Sequence, residues 1–140
     1  MTTFQTSRVL PATPQQVFAA FADPARLATW WGPEGFRNTF QTCEFKPGGN
    51  WLFTMHGPDG SNYPNESVFA EIEPARKVVI DHVCEPLFRL TVELQATATG
   101  TLLQWTQVFA DAAVAAAVRH IVEPANEQNL DRLAAELAAA

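Results

Sequence analysis

Three polar side chains, those of His82, Tyr63 and Gln107, could lie on the same face of the predicted strands as the large apolar residues. A buried polar side chain must find a partner, which a bound molecule can supply. A histidine within reach of a second acid or base could catalyse proton transfer, and a tyrosine or an amide could orient a ligand. Glu71 and His120 are further candidates. A core histidine with satisfied hydrogen bonds is the simpler interpretation of His82.

Specific catalytic and metal-binding patterns are missing from the sequence. The three histidines, His56, His82 and His120, lie on different predicted elements, which argues against a metal site. No Gly-x-Ser-x-Gly elbow, phosphate loop or dinucleotide-binding motif occurs. Cys43 and Cys84 lack Cys-x-x-Cys spacing and are expected to be free thiols. We therefore expect no catalytic residue, no metal and no cofactor.

Two helix starts occur near the N-terminus. Thr13, Pro14 and Gln16 form a capping-box pattern, in which the Thr13 and Gln16 side chains each bond the other's backbone N–H. Asp23 followed by proline repeats the start signal, and the Gly- and Pro-rich segment after Trp31 ends the helical pattern. The sequence predicts two short helices after a first strand.

The middle of the chain, residues 39–109, alternates in polarity between turn signals, which is typical of antiparallel strands. Helical periodicity returns after Asp111, a plausible N-cap, and Leu130, Leu133 and Leu137 form an apolar stripe. A flat sheet would leave its apolar face wet, and only the C-terminal helix is long enough to cover it. We expect an α+β fold: a curved antiparallel sheet of about seven strands wrapped on a long C-terminal helix.

Composition limits the class of protein. With 140 residues, 47% hydrophobic, the chain fits one domain spanning residues 1–140. Its net charge of -6 argues against binding to nucleic acid or to an anionic membrane surface. The N-terminus lacks the basic and apolar blocks of a signal peptide, so we expect a cytoplasmic location.

Several segments resemble the START-like (SRPBCC) superfamily, and more closely its subgroup related to the C-terminal domain of the activator of the heat-shock-protein-90 ATPase. The matching segments span nearly the whole chain and are Ala12-Thr13-Pro14, Trp30-Trp31-Gly32-Pro33-Glu34-Gly35-Phe36, Lys46-Pro47-Gly48-Gly49-Asn50-Trp51, Phe53-Thr54-Met55-His56-Gly57-Pro58-Asp59-Gly60, Glu71-Ile72-Glu73-Pro74-Ala75-Arg76-Lys77 and Leu130-Asp131-Arg132-Leu133. The resemblance implies the helix-grip fold, in which the space between sheet and helix can hold a ligand.

Large side chains at alternate strand positions would line that space. Residues 112–117 are nearly all alanine, and we expect them to face these rings across a void, the usual form of an apolar ligand site. The alternative is that the large side chains only pack a dry core. The candidate ligand-binding residues are Trp51, Phe53, Met55, Tyr63, Phe69, His82, Phe88, Leu90, Trp105, Gln107 and Phe109.

Three functions follow. The first is non-catalytic binding of a small apolar molecule by a carrier or sensor. The second, implied by the resemblance, is a chaperone-accessory domain that binds a chaperone; Trp30 and Trp31 could form its exposed patch, although we favour burial because Trp is largely buried on average. The third is a cyclase- or hydrolase-like enzyme using His82, Tyr63 or Glu71. An exposed edge strand or helix could also support a homodimer.

Overall fold

A curved, open sheet of seven antiparallel strands packs against three helices in the computed structural model, which describes residues 2–139. The predicted α+β class and order of elements are confirmed. The elements in chain order are β1 (Thr3–Leu10), α1 (Pro14–Ala22), α2 (Pro24–Trp30), β2 (Arg37–Cys43), β3 (Gly49–His56), β4 (Asn62–Glu73), β5 (Lys77–His82), β6 (Phe88–Thr97), β7 (Gly100–Phe109) and α3 (Ala112–Ala139).

The helices begin where local sequence signals place them. Thr13 Oγ1 accepts from the Gln16 backbone N–H at 3.2 Å, and Gln16 Oε1 accepts from the Thr13 N–H at 2.8 Å. Asp23 Oδ1 caps α2 by accepting from the Ala25 N–H at 3.0 Å. Asp111 Oδ1 does the same for α3. Because each cap satisfies N–H groups that have no partner within the helix, these side chains fix the helix starts.

The strand order is β1-β7-β6-β5-β4-β3-β2. From β2 to β7 each strand pairs with the next one in the sequence, and β1 pairs with the last strand, β7. Pairing shifts register between Phe40 and Thr42, and again between Phe69 and Glu71. Such bulges bend a strand and increase its twist. They help the sheet to curve around α3.

The concave face of the sheet supplies most of the core. Its members alternate with exposed residues along each strand, as β7 shows with buried Leu103, Trp105, Gln107 and Phe109. Leu130 and Leu133 of α3 are fully buried against this face, and Leu137 is partly buried. The predicted stripe on α3 therefore holds the helix to the sheet.

Trp30 and Trp31 are both buried, as expected. Trp30 Nε1 donates to the Ala20 carbonyl at 3.0 Å, which ties α2 to α1. The Trp31 ring contacts the rings of Trp51 and Trp105, with centroids 5.0 Å and 6.0 Å away. The two tryptophans close one end of the space between sheet and helices rather than forming an exposed patch.

Candidate functional site

A cavity of about 240 Å3 lies between the concave face of the sheet and α3. Side chains from β3 to β7 form its floor, α3 covers it, and the segment that follows α2 closes one side. Its lining is mainly apolar and includes the rings of Phe53, Phe88 and Trp105. The space that the sequence predicted between sheet and helix is therefore present.

The structure gathers most of the predicted ligand-binding residues around this cavity. Those that line it are Phe53, Met55, His82, Phe88, Leu90, Trp105 and Gln107. They come from four different strands, and strand pairing brings them together: His82 lies opposite Phe88, and Leu90 lies opposite Gln107. Alternation along the strands correctly gave the face on which each side chain lies.

The other four candidates lie outside the cavity lining. Trp51 and Phe69 are fully buried and stack on each other, with ring centroids 5.4 Å apart, so they fill the core at one end. Phe109 packs with Phe4 and Ala115 in a second, smaller cluster. Tyr63 is 47% exposed.

The expectation that residues 112–117 cover the cavity is wrong. Most of that alanine-rich stretch is exposed, and its one buried member, Ala115, packs against Phe4 and Phe109. The part of α3 over the cavity is about two to three turns further on, where Ala125, Asn126 and Asn129 line it. The part of α3 that covers the cavity therefore presents polar side chains as well as a small apolar one.

The sequence analysis missed ten residues of the lining, among them three asparagines and a serine. The residues not foreseen are Trp31, Gly32, Pro33, Asn65, Ser67, Ile80, Pro86, Ala125, Asn126 and Asn129. Strand pairing contained a signal for two of them, since Asn65 lies opposite Phe53 and Ser67 lies opposite His82.

His82 is held in the wall by contacts to both ring nitrogens. Nδ1 lies 2.7 Å from the Pro86 carbonyl oxygen, and Nε2 lies 2.7 Å from Asn65 Oδ1. The ring stacks on Phe88 with centroids 4.5 Å apart, and the Cys84 sulfur is 3.5 Å from Nε2. Only 8% of the residue is exposed. His82 is thus a fixed polar group in an apolar wall.

Four further side chains with polar atoms line the cavity from α3 and β7. Asn129 Oδ1 accepts from the Gly32 N–H at 3.1 Å, and Asn126 Nδ2 donates to Gln107 Oε1 at 3.0 Å. The indole N–H of Trp105 is buried and has no hydrogen-bond partner within residues 2–139. Because this nitrogen has almost no accessible surface, even toward the cavity, it stays an unpartnered donor within the wall, which costs free energy.

Arg132 fixes the segment that closes the cavity. Its Nη1 lies 2.9–3.0 Å from the carbonyl oxygens of Trp31, Gly32 and Pro33, and its Nη2 lies 2.7 Å from that of Thr29. Burial lowers the pKa of the Arg132 guanidinium from its ordinary value. The arginine supplies donors to carbonyls at the end of α2, which favours a cation there.

The side chains proposed for catalysis do not converge. Glu71 is exposed and forms an ion pair with Lys77 at 2.8 Å, which lowers the pKa of the Glu71 carboxyl. Tyr63 and Glu71 are both absent from the cavity lining that contains His82. His120 is exposed, and His56 bonds Thr39 and Asn62.

Other site types find no support in the part of the chain that the structure describes. Within residues 2–139 no group of His, Cys, Asp and Glu is arranged to hold a metal ion. Cys43 and Cys84 are free thiols, as expected, and burial raises the pKa of Cys43 to about 11. No helix in this range has the length and apolar character needed to cross a bilayer.

Comparison with known proteins identifies the family and the fold. A protein from Nitrosomonas europaea superposes with a TM-score of 0.90 at 18% identity, covering 99% of this chain and 95% of the other. One from Arthrobacter aurescens gives 0.90 at 25% identity, covering 99% and 87%. The AHSA1 protein from Silicibacter pomeroyi gives 0.78 at 23% identity, covering 98% of both chains.

No curated protein matches this sequence. The model of one family does match, over residues 11–138, and that family is described as "Activator of Hsp90 ATPase homolog 1-like protein". The match covers most of the chain, and the solved structures above share the helix-grip architecture. The chain therefore belongs to the Activator of Hsp90 ATPase homolog 1-like family.

Proposed function

We propose that this protein binds a small, mainly apolar molecule in the cavity between the sheet and α3, and acts as a non-catalytic carrier or sensor. The observation that carries the proposal is the cavity itself: about 240 Å3 of space, lined by apolar and aromatic side chains with a few fixed polar groups. That combination is characteristic of ligand pockets.

The size of the cavity limits the guest. Its volume is somewhat below the roughly 300–1,000 Å3 of pockets that take drug-sized ligands. It corresponds to about eight water molecules at ~30 Å3 each. A guest with a single ring or a short chain fits this space, whereas a sterol or a long-chain lipid does not unless the walls move.

A cavity-filling variant tests the proposal. Ala125 lines the cavity from α3, so Ala125→Leu places three more carbon atoms in it. We expect affinity for small aromatic probes, measured by calorimetry or by ligand-detected NMR, to fall at least about tenfold. Ala116→Leu, on an exposed position of the same helix, is the matched control. Equal affinity in both variants, or no binding of any probe by the wild-type protein, would reject the proposal.

A second candidate, a chaperone-accessory role, is supported by membership of the family and by one surface feature. Val83, Leu87 and Val108 form an apolar patch around a shallow depression, and they are 48%, 41% and 40% exposed. Clustered exposed apolar side chains often mark a protein-binding surface.

The test of this second candidate uses the heat-shock-protein-90 homologue from the same cell. Leu87→Asp should abolish co-purification and any change in the ATPase rate of that protein. Ile121→Asp, which alters an exposed apolar residue on α3 instead, should leave both unchanged. Absence of binding by the wild-type protein would remove this role.

A further inference from the structure

The hydrogen bonds at His82 need two donors from one ring. The Pro86 carbonyl oxygen faces Nδ1, and Asn65 Oδ1 faces Nε2, both at 2.7 Å. A carbonyl oxygen can only accept, and a neutral imidazole carries a single N–H. The neutral ring therefore satisfies one of these contacts and leaves two acceptors facing each other at the second. The imidazolium, with both nitrogens protonated, satisfies both.

A second hydrogen bond holds the Asn65 amide with its oxygen, rather than its nitrogen, toward His82. Asn65 Nδ2 donates to the Tyr63 carbonyl oxygen at 2.8 Å. Rotating the amide by a half turn would point Nδ2 at His82, but it would also place Oδ1 against the Tyr63 carbonyl. The backbone contact of Asn65 thus directs an acceptor at His82, and the cationic form of the ring agrees with all three contacts.

No carboxylate balances this charge inside the cavity. Among the described residues of the lining, His82 is the only titratable side chain. Asp81 follows strand alternation to the opposite face of β5, where its two oxygens bond Arg89 at 2.7 Å and 2.9 Å. The Cys84 thiol, 3.5 Å from Nε2, is the other titratable group at the ring.

The nearest other cation is Arg132 on α3, which donates to the carbonyls of Gly32 and Pro33, two residues of the lining. Glu66 on β4 and Glu85 in the segment before β6 are exposed, and neither lines the cavity. A cation in an apolar wall is costly unless an anion accompanies it. The missing counter-charge is therefore one that a guest can bring.

One neutral donor in the wall, on Asn129, favours the same kind of guest. Because Asn129 Oδ1 is occupied by the Gly32 N–H, its amide nitrogen is the group left for a ligand. The Asn126–Gln107 pair offers one donor and one acceptor, so it favours neither an anionic nor a cationic guest.

We propose that the natural guest is a small apolar acid, whose carboxylate or equivalent anionic group is recognised by the imidazolium of His82. This rests on the proposed binding function and names its ligand class. The ring serves the guest through its charge, since both N–H groups already bond Pro86 and Asn65. Binding is consequently tighter at the pH where the ring is protonated and weakens as the pH rises.

Two probes of the same shape and different charge test this, phenylacetate and phenylacetamide. Imidazoles change charge between about pH 5 and 8, so affinities are measured by calorimetry near pH 6 and pH 8. A carboxylic acid is ionised at both. We expect phenylacetate to bind about tenfold more tightly at the lower pH, and phenylacetamide to change less than about twofold. His82→Gln should remove the pH dependence, whereas His120→Gln, on the exposed surface, should keep it.

NMR of the ring nitrogens adds an independent readout that does not depend on a stable variant at position 82. With three histidines in the chain, the signals are assigned by elimination from the His56 and His120 variants. Two protonated nitrogens on His82 in the phenylacetate complex support the inference, and one protonated nitrogen overturns it. Equal binding of both probes at both pH values overturns the anion preference alone. Binding of neither probe overturns the proposed function as well.

Discussion

Replacing Arg132 by methionine keeps the volume of the unbranched part of the side chain, and it removes the guanidinium with its four donated hydrogen bonds. The loss is smaller than that number implies. The Thr29 contact is exposed to water, and the Trp31 carbonyl keeps a second donor, Asn38 Nδ2, at 2.8 Å. The carbonyls of Gly32 and Pro33 lose their charged donor.

A hydrogen bond to a charged group contributes about 1.5–3 kcal/mol. Two such losses, taken at the lower end because the side chain is partly exposed, amount to ~3 kcal/mol. Since urea m-values of small proteins are about 1–3 kcal/mol/M, the unfolding midpoint of Arg132→Met should fall by at least about 1 M. Far-UV circular dichroism during urea titration measures this midpoint.

Arg76→Met is the control for this substitution. The Arg76 side chain is 77% exposed and makes one ion pair, with Glu73 at 3.6 Å. Its removal should change the free energy of unfolding by less than about 0.5 kcal/mol. If the two variants unfold at the same urea concentration with the same m-value, the structural role given to Arg132 is refuted.

Three other predictions concern single positions. Thr13→Ala removes the hydrogen bond that the Thr13 side chain accepts in the capping box, so the free energy of unfolding should fall by about 1 kcal/mol in a urea titration. An unchanged free energy would show that α1 does not depend on this cap. Gly49→Ala places a Cβ 1.9 Å from the Glu44 carbonyl oxygen, so we expect a loss above ~3 kcal/mol, and a near-neutral result would contradict the close approach. Because burial raises the pKa of Cys43 from 9.0 to about 11, its thiolate fraction at pH 8 is about 100-fold smaller than when unfolded. Iodoacetamide should label it correspondingly more slowly in a Cys84→Ser variant, and equal rates with and without urea would contradict the burial.

Local signals in the sequence were sufficient for the elements of the fold. The caps at Thr13, Asp23 and Asp111 bond N–H groups two or three residues away, so the pattern of residue types already contains them. Strand faces follow from a period of two, which is why the inward side of β6 and β7 was predicted correctly.

The cavity lining depended on contacts between distant parts of the chain. The hydrogen bond between Asn129 and Gly32 joins residues 97 positions apart in the sequence. The one between Asn126 and Gln107 joins residues 19 positions apart. In sequence, both asparagines look like exposed helix residues, and only the folded chain supplies the partners that allow their burial.

The wrong prediction that residues 112–117 of α3 face the cavity has a related physical reason. Alanine favours a helix whether or not it is buried, so the composition of residues 112–117 carries no information about what they face. The position of α3 along the sheet is set by Leu130 and Leu133, which are fully buried, and by the turn after Phe109.

The chain's four tryptophans form one connected group, with Trp31 in contact with the rings of Trp30, Trp51 and Trp105 at 5.0–6.0 Å. Transition dipoles at such separations couple, so the near-ultraviolet spectrum reports the group collectively rather than as four separate chromophores. Trp31 and Trp105 also border the cavity. A guest that enters should therefore perturb the whole indole band, which gives this protein an optical signal of occupancy without any attached label.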